Sequence, residues 1–160
     1  MVRIASLADI PTIRSIAERT WPSTYGGIIS QGQIDYMLDL MYSDESLTKQ
    51  INTDHQFYIF EFEETPIGFA SVSKEEEGIF KLNKLYVLPN IQKTGAGKAL
   101  LAAVKNYAKA NGGKKLILQV NKHNNARAFY EHMGFSVQKE MVFELDHGYV
   151  MDDYVMEIAL

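Results

Sequence analysis

The stretch that decides the reading is Leu85-Tyr86-Val87-Leu88-Pro89-Asn90-Ile91-Gln92-Lys93-Thr94-Gly95-Ala96-Gly97-Lys98. A β-rich apolar run meets a proline stop, then a glycine-bearing turn that opens a helix. The first N–H groups of a helix have no internal partners and carry partial positive charge, so glycines at such a start let an anion lie directly on the backbone amides. Two familiar phosphate motifs fail here. A P-loop needs Ser or Thr after its Gly-Lys and an earlier glycine, yet Ala99 follows Gly97-Lys98 and Gln92 stands where that glycine belongs. The dinucleotide fingerprint G-x-G-x-x-G fails because Leu100 replaces its last glycine. What remains is Gln92-x-x-Gly95-x-Gly97 between a strand and a helix, a cradle suited to a pyrophosphate.

Outward from this loop, Leu100, Leu101, Val104, Tyr107 and Ala108 form the apolar face of a helix closed by Asn111-Gly112-Gly113. Residues 116–120 read as a short buried strand. Asn124 or Asn125 caps a further helix with the stripe Ala126, Phe129, Tyr130 and Met133, ended by Gly134. Residues 137–145 and 150–159 read as two closing strands joined through Asp146-His147-Gly148. Upstream, residues 56–63, 67–73 and 79–88 are strands separated by turns at Glu64-Thr65-Pro66 and Glu75-Glu76-Glu77-Gly78. Asp9 is placed to cap a first helix that ends near Trp21-Pro22, followed by a turn-rich loop at 23–27. Ser30-x-x-Gln33 is a capping box for a second helix, and 45–51 a shorter helical piece. The order ααβββαβαββ implies an α/β fold, with a mixed sheet of about six or seven strands around a parallel β-α-β unit and about four helices.

At 160 residues, with 46% hydrophobic and 22% charged residues, the chain is expected to be one globular domain spanning 1–160. A net charge of -4 argues against bulk attraction to nucleic acid or an anionic membrane. A local basic patch of Lys93, Lys98, Lys114 and Lys115 is still available for an anionic ligand. The absence of cysteine excludes thiolate nucleophiles and disulfides, and the four histidines show no metal-ligand spacing, so no metal is expected. No apolar run approaches the ~20 residues of a membrane span, and the first residues lack a signal-peptide core. A cytoplasmic protein is the default.

The loop is similar to the coenzyme A pyrophosphate loop of the GNAT superfamily of N-acetyltransferases. Asn124-Asn125-Ala126-Arg127-Ala128-Phe129-Tyr130-Glu131-His132-Met133-Gly134-Phe135 resembles that family's N-x-x-A-x-x-F-Y-E-x-x-G-F segment, and the element order matches its fold along essentially the whole chain. The resemblance implies acetyl transfer from acetyl-CoA to a primary amine. With no cysteine to carry the acetyl group, direct attack in a ternary complex is favoured. It implies that Gln92, Lys93, Thr94, Gly95, Ala96, Gly97 and Lys98 hold the pyrophosphate and that Leu85, Tyr86 and Val87 meet the pantetheine like an added strand, with Asn121, Asn124 and Phe129 further coenzyme contacts. Tyr130 is implied as the acid that protonates the leaving thiolate, since a phenol of pKa ~10 keeps its proton at neutral pH. As plain residues, Tyr130 also fits a core position, and Asn124 a pure cap.

An alkylamine of pKa ~10.4 is about one part in a thousand neutral near pH 7.4, so some proton route is required. Lys81 and Lys84 stand where many relatives carry a glutamate; Glu77, Asp152 and Asp153 are the carboxylates left for the task, alongside a water chain. Trp21, Tyr25 and Asp152 are the expected acceptor contacts, and together with the tail 149–154 they resemble small-amine or polyamine acetyltransferases. A protein N-terminal or lysine acetyltransferase is the alternative, a non-catalytic acyl-CoA-binding module the alternative of another class. A homodimer is left open.

Overall fold

A computed structural model describes residues 1–91 and 94–160. Among them, in chain order, run β1 (Val2–Ile4), α1 (Ile10–Tyr25), α2 (Gln31–Tyr42), α3 (Asp44–Asn52), β2 (His55–Phe62), β3 (Thr65–Glu76), β4 (Ile79–Val87), α4 (Ala96–Ala110), β5 (Lys115–Asn121), α5 (Ala126–His132), β6 (Ser136–Glu144) and β7 (Val150–Ala159). The seven strands make one mixed sheet in the order β1-β2-β3-β4-β5-β7-β6, in which β4 and β5 are the parallel pair. The α/β architecture matches the expectation, with a short leading strand added and the helical piece expected at 45–51 present as α3. Three residues are too few to show alternation, so β1 exists through its pairing with β2, Val2 opposite Phe60.

The first helix is a correction. It does not stop at Trp21-Pro22 but continues through 23–25, and the Gly26 N–H closes it on the Pro22 carbonyl at 2.9 Å. Proline removes one helical donor, but Pro22 is exposed and the buried stripe Ile13, Ile16, Ala17, Trp21 and Tyr25 carries the helix past it. Asp9 occupies the cap position of α1 without bonding its amides; it accepts from the Ser6 N–H and pairs with Arg3 instead. The Ser30 box is half-formed. Ser30 Oγ accepts from the Gln33 N–H, while the Gln33 amide reaches across to the Val150 carbonyl at 2.9 Å and ties α2 to β7.

Cross-strand partners share a face. Phe57, Ile59, Phe69, Ser71, Lys84 and Tyr86 therefore look toward α1, α2 and α3, where Trp21 and Tyr42 pack on Tyr86 and Phe69. The opposite face carries Val72, Phe80 and Leu82 and is covered by α4, with Phe80 edge-on to Tyr107. Fully buried rings such as Phe69 would each cost ~3–5 kcal/mol on truncation to alanine, so the two-sided core holds the sheet rigid beneath the site. No helix among the described residues is long and apolar enough to cross a membrane.

Candidate active site

β4 and β5 pair only from Ile79 opposite Lys115 to Leu82 opposite Leu118, although β4 runs on to Val87 and β5 to Asn121. The cause lies on the other side of β4. Ser71 faces Lys84 while Val72 faces Leu82, so Asn83 is an extra residue, a bulge that bends the strand. Its amide donates to Ser73 Oγ at 2.9 Å and pins the bend. Beyond it the strands part. Leu88 N–H donates to Ile67 O at 2.7 Å, and antiparallel alternation then turns the N–H and C=O of Leu85 and Val87 away from β3 into the gap.

At the head of the gap stands α4. Gly95, at φ 74°, takes the left-handed cap conformation that suits glycine, and Ala96 N–H donates to Thr94 Oγ1 at 3.3 Å. The next first-turn amides, those of Gly97 and Lys98, have no intrahelical carbonyl to reach. A Cβ on Gly97 would sit 3.4 Å from the Phe129 ring, so glycine sets how closely α4 and α5 approach. Gln92 and Lys93, the first members of the expected loop, lie outside the described residues. The basic patch is not assembled as expected. Lys115 pairs with Glu157 at the start of β5, where it meets Ile79, the end of β4 remote from this loop, and Lys114 is beside it.

The gap is a narrow cleft of about 50 Å³ whose walls include Leu85, Tyr86, Asn124 and Tyr130, with Tyr25 closing it. Tyr130, 7% exposed, is held between Phe129 and Phe135 by edge-on ring contacts. Burial, with Tyr25 nearby, pushes its phenol above the ordinary value, so it stays protonated throughout the neutral range. Asn121 Oδ1 accepts from the His123 N–H and Asn124 Oδ1 from the Ala126 N–H, each at 2.9 Å; both side chains shape the turn that delivers α5 to the cleft.

On the α1–α2 face the same walls open into a second cavity of about 310 Å³. Tyr25, Asn83, Lys84, Tyr86 and Gln119 border both spaces. Trp21, Met37, Met41, Phe143, Leu145 and Met151 give the second one an apolar lining. The Tyr25 and Tyr86 hydroxyls lie 3.1 Å apart at the junction. Asp153, opposite Asn121 and Met141 in the sheet, also lines this cavity. It is 6% exposed, its Oδ1 has no hydrogen-bond partner among the described residues, and burial beside Asp152 raises its pKa to about 6. Asp152 lies on the other side of the pleat and pairs with Lys122 at 3.0 Å, so it does not line the cavity. Glu77 pairs with Lys74 at the exposed tip of the β3–β4 hairpin.

Lys84 is the site residue least foreseeable from local sequence. Its ammonium is buried, 2.8 Å from Gln50 Oε1 and above the Tyr42 and Phe57 rings at 5.4 and 5.7 Å. Burial, with Lys81 nearby, lowers its pKa to about 8. Gln50 is aimed by its own donations to Met41 O and Ser46 Oγ, a role with no signature in a helix of mixed polar residues. Among the described residues no group of three or more His, Asp or Glu is arranged to hold a metal ion.

Three tyrosine hydroxyls, those of Tyr25, Tyr86 and Tyr130, and one buried carboxylate beside a cleft with strand-like free amides suit an acyl transfer between a threaded donor and an acceptor in the adjoining cavity. The GNAT acetyltransferase domain family matches residues 29–157. Spermidine N(1)-acetyltransferase of Thermoplasma acidophilum is 30% identical over 143 residues, covering 86% of this chain and 88% of that protein. YhfO of Bacillus subtilis, an uncharacterised N-acetyltransferase, is 47% identical over 68 residues, a match spanning 44% of its length. The crystal structure of PaiA N-acetyltransferase from T. acidophilum in complex with coenzyme A aligns with a TM-score of 0.85 at 28% identity, over 100% of this chain and 98% of that one. The chain therefore belongs to the GNAT family, as an N-acetyltransferase that takes acetyl-CoA as its co-substrate.

Proposed function

We propose that acetyl-CoA lies in the β4–β5 cleft and that a primary amine in the adjoining cavity attacks its thioester directly, with Tyr130 as acid and Asp153 as proton acceptor. The observation that carries this reading is the buried, unpartnered Asp153 carboxylate in a cavity that shares Tyr25 and Tyr86 with the cleft. In the step, the amine lone pair bonds to the carbonyl carbon and the C–S bond breaks. The amine proton passes to Asp153, and the departing sulfur takes the Tyr130 proton. The Leu85 and Val87 backbone groups hold the pantetheine, and the first-turn amides of α4 hold the pyrophosphate.

Magnitudes favour Asp153 over the exposed carboxylates. Moving a proton from an amine of pKa ~10.4 to an ordinary aspartate of ~3.9 is uphill by more than six units; burial of Asp153 recovers about two of them, ~3 kcal/mol or ~10² in rate. A small primary amine as acceptor draws support from the name of the Thermoplasma relative. The test is to supply acetyl-CoA with panels of amines, amino acids and peptides while following free CoA and the acetylated product. Turnover of small primary amines is the expected result. Acetylation of peptide N-termini alone would move the acceptor to proteins, and no turnover by protein that binds acetyl-CoA would overturn the reading.

A further inference from the structure

The charges around the acceptor cavity do not match a polycation. Lys81 and Lys84 both line it, against Asp153 as its one carboxylate among the described residues. Gln50 accepts one hydrogen bond from the Lys84 ammonium, and no carboxylate lies within 4.0 Å of it among the described residues. The indole N–H of Trp21, on the same wall, is buried with no acceptor in hydrogen-bonding geometry. Two cationic side chains thus stand against one carboxylate around this space, with the Gln119 amide oxygen accepting from Lys81 at 3.4 Å. A buried cation without a counter-ion is costly, and replacing one by an apolar side chain often stabilises a fold, so its presence beside a ligand cavity points to a ligand.

We propose that the acceptor is an amine that also carries an anionic group, a carboxylate or a phosphate, bound with its amino end at Asp153 and its anion at Lys84 and Lys81. The proposal deepens the acetyl-transfer reading above and rests on it. An anion arriving beside Lys84 gains an ion pair in a low-dielectric wall and restores the lysine's full positive charge, which burial otherwise weakens. A diamine brings a second ammonium into a space already bordered by two lysines and loses on the same account.

The experiment compares unbranched ω-amino carboxylates, aminoalkyl phosphates, monoamines and α,ω-diamines of three to six carbons, at saturating acetyl-CoA, by CoA release. In the wild type, kcat/KM for the better anionic arm is expected to exceed that of the matched monoamine at least tenfold, with the difference mainly in KM, and the diamine to rank last. The carboxylate and phosphate arms identify which anion fits. Lys84→Met is expected to reduce the anionic-to-monoamine ratio about tenfold, and Lys84→Arg to retain part of it. Should Lys84→Met not fold, Lys81→Met at a partly exposed position is expected to narrow the same ratio severalfold. A wild-type preference for diamines over both anionic arms overturns the charge proposal while leaving acetyl transfer intact. An unchanged ratio in folded Lys84→Met overturns it too. Turnover of no amine by protein that binds acetyl-CoA overturns the acetyl-transfer reading and this proposal with it.

Discussion

Replacing Asp153 by asparagine should make the protein more stable and less active, with both effects set by pH. The carboxyl is 6% exposed, and its pKa is raised from 3.8 to about 6 in the folded state. A carboxyl raised on folding binds its proton more tightly in the native chain, so the native state loses ground as pH climbs from about 4, where the unfolded chain ionises, and the loss is complete above about 6. Two units correspond to an upper figure of ~3 kcal/mol, reduced by the desolvation of the asparagine amide that replaces the carboxylate. Asp153→Asn should therefore melt above the wild type by several degrees at pH 7.5, at ~2–4 °C per kcal/mol for a chain of this size, and the difference should close at pH 4. Lys81 of β4, Asp152 of β7 and the Tyr25 hydroxyl of α1 are the titratable groups that face this carboxyl. Activity should move oppositely. Wild-type kcat/KM should fall as pH drops through about 6, and the variant should lose on the order of 10²-fold at pH 7.5 without that limb. Equal melting temperatures at pH 7.5, or an unaltered acid limb in the variant, would refute the assignment of a strained, working carboxylate.

Three further outcomes are expected. Tyr130→Phe keeps the ring contacts to Phe129 and Phe135 but removes the hydroxyl, so kcat should fall on the order of 10²-fold while calorimetric CoA affinity stays within about twofold; an unaltered kcat with a chemistry-limited amine assigns Tyr130 to packing alone. Gly97→Val puts side-chain atoms where the Phe129 ring stands 3.4 Å away and beside the first-turn amides of α4, and should weaken CoA binding at least tenfold, ~1.4 kcal/mol, with an unchanged circular dichroism spectrum. Lys84, whose pKa falls from 10.5 to about 8, costs the native state below pH 8 and less as pH rises toward 10.5; Lys84→Met should gain ~1–3 kcal/mol in denaturant melts at pH 7 and show a smaller gain at pH 9.5.

What was legible in the chain was local. The strand, proline stop and glycine turn of 85–98, the α5 helix with Tyr130, and most strand positions follow from composition and spacing within a dozen residues. The misses depended on partners distant in sequence. The end of α1 looked fixed by Pro22, but a proline on the solvent side of a helix leaves the buried stripe intact, and Tyr25 stays helical and joins the cleft. Asp152 and Asp153 are adjacent and chemically alike. Which one meets the cavity depends on pleat parity in β7, fixed by Asn121 and Met141 across the sheet and not by neighbours in the chain. Charge alone groups Lys114 and Lys115 with Lys98, yet the parallel crossover carries the chain through α4 back to the other end of β4.

One inserted residue accounts for the rest of the site. Strict alternation from Phe80 and Leu82, both on the α4 face, would put Lys84 and Tyr86 there as well and Leu85 opposite them. The bulge at Asn83 shifts the parity by one. It turns Lys84 and Tyr86 toward Trp21 and Tyr42. The same bend parts β4 from β5 and leaves the backbone of Leu85 and Val87 facing the gap. Donor cleft and acceptor cavity are thus two consequences of one local defect, and the residue that makes it belongs to neither in chemical role. Deleting Asn83 removes the bend yet keeps Lys84 and Tyr86 on the α1 face, because Leu82 and Lys84 then alternate directly; the expected loss is on the donor side, with β4 and β5 closing up and CoA binding lost, in a protein whose β2–β3 pairing and core on the far side of β4 give no reason for global unfolding. A deletion variant that binds CoA normally would show that the parting of the strands has another origin, and the α4 cap at Gly95 would be the next place to look for it.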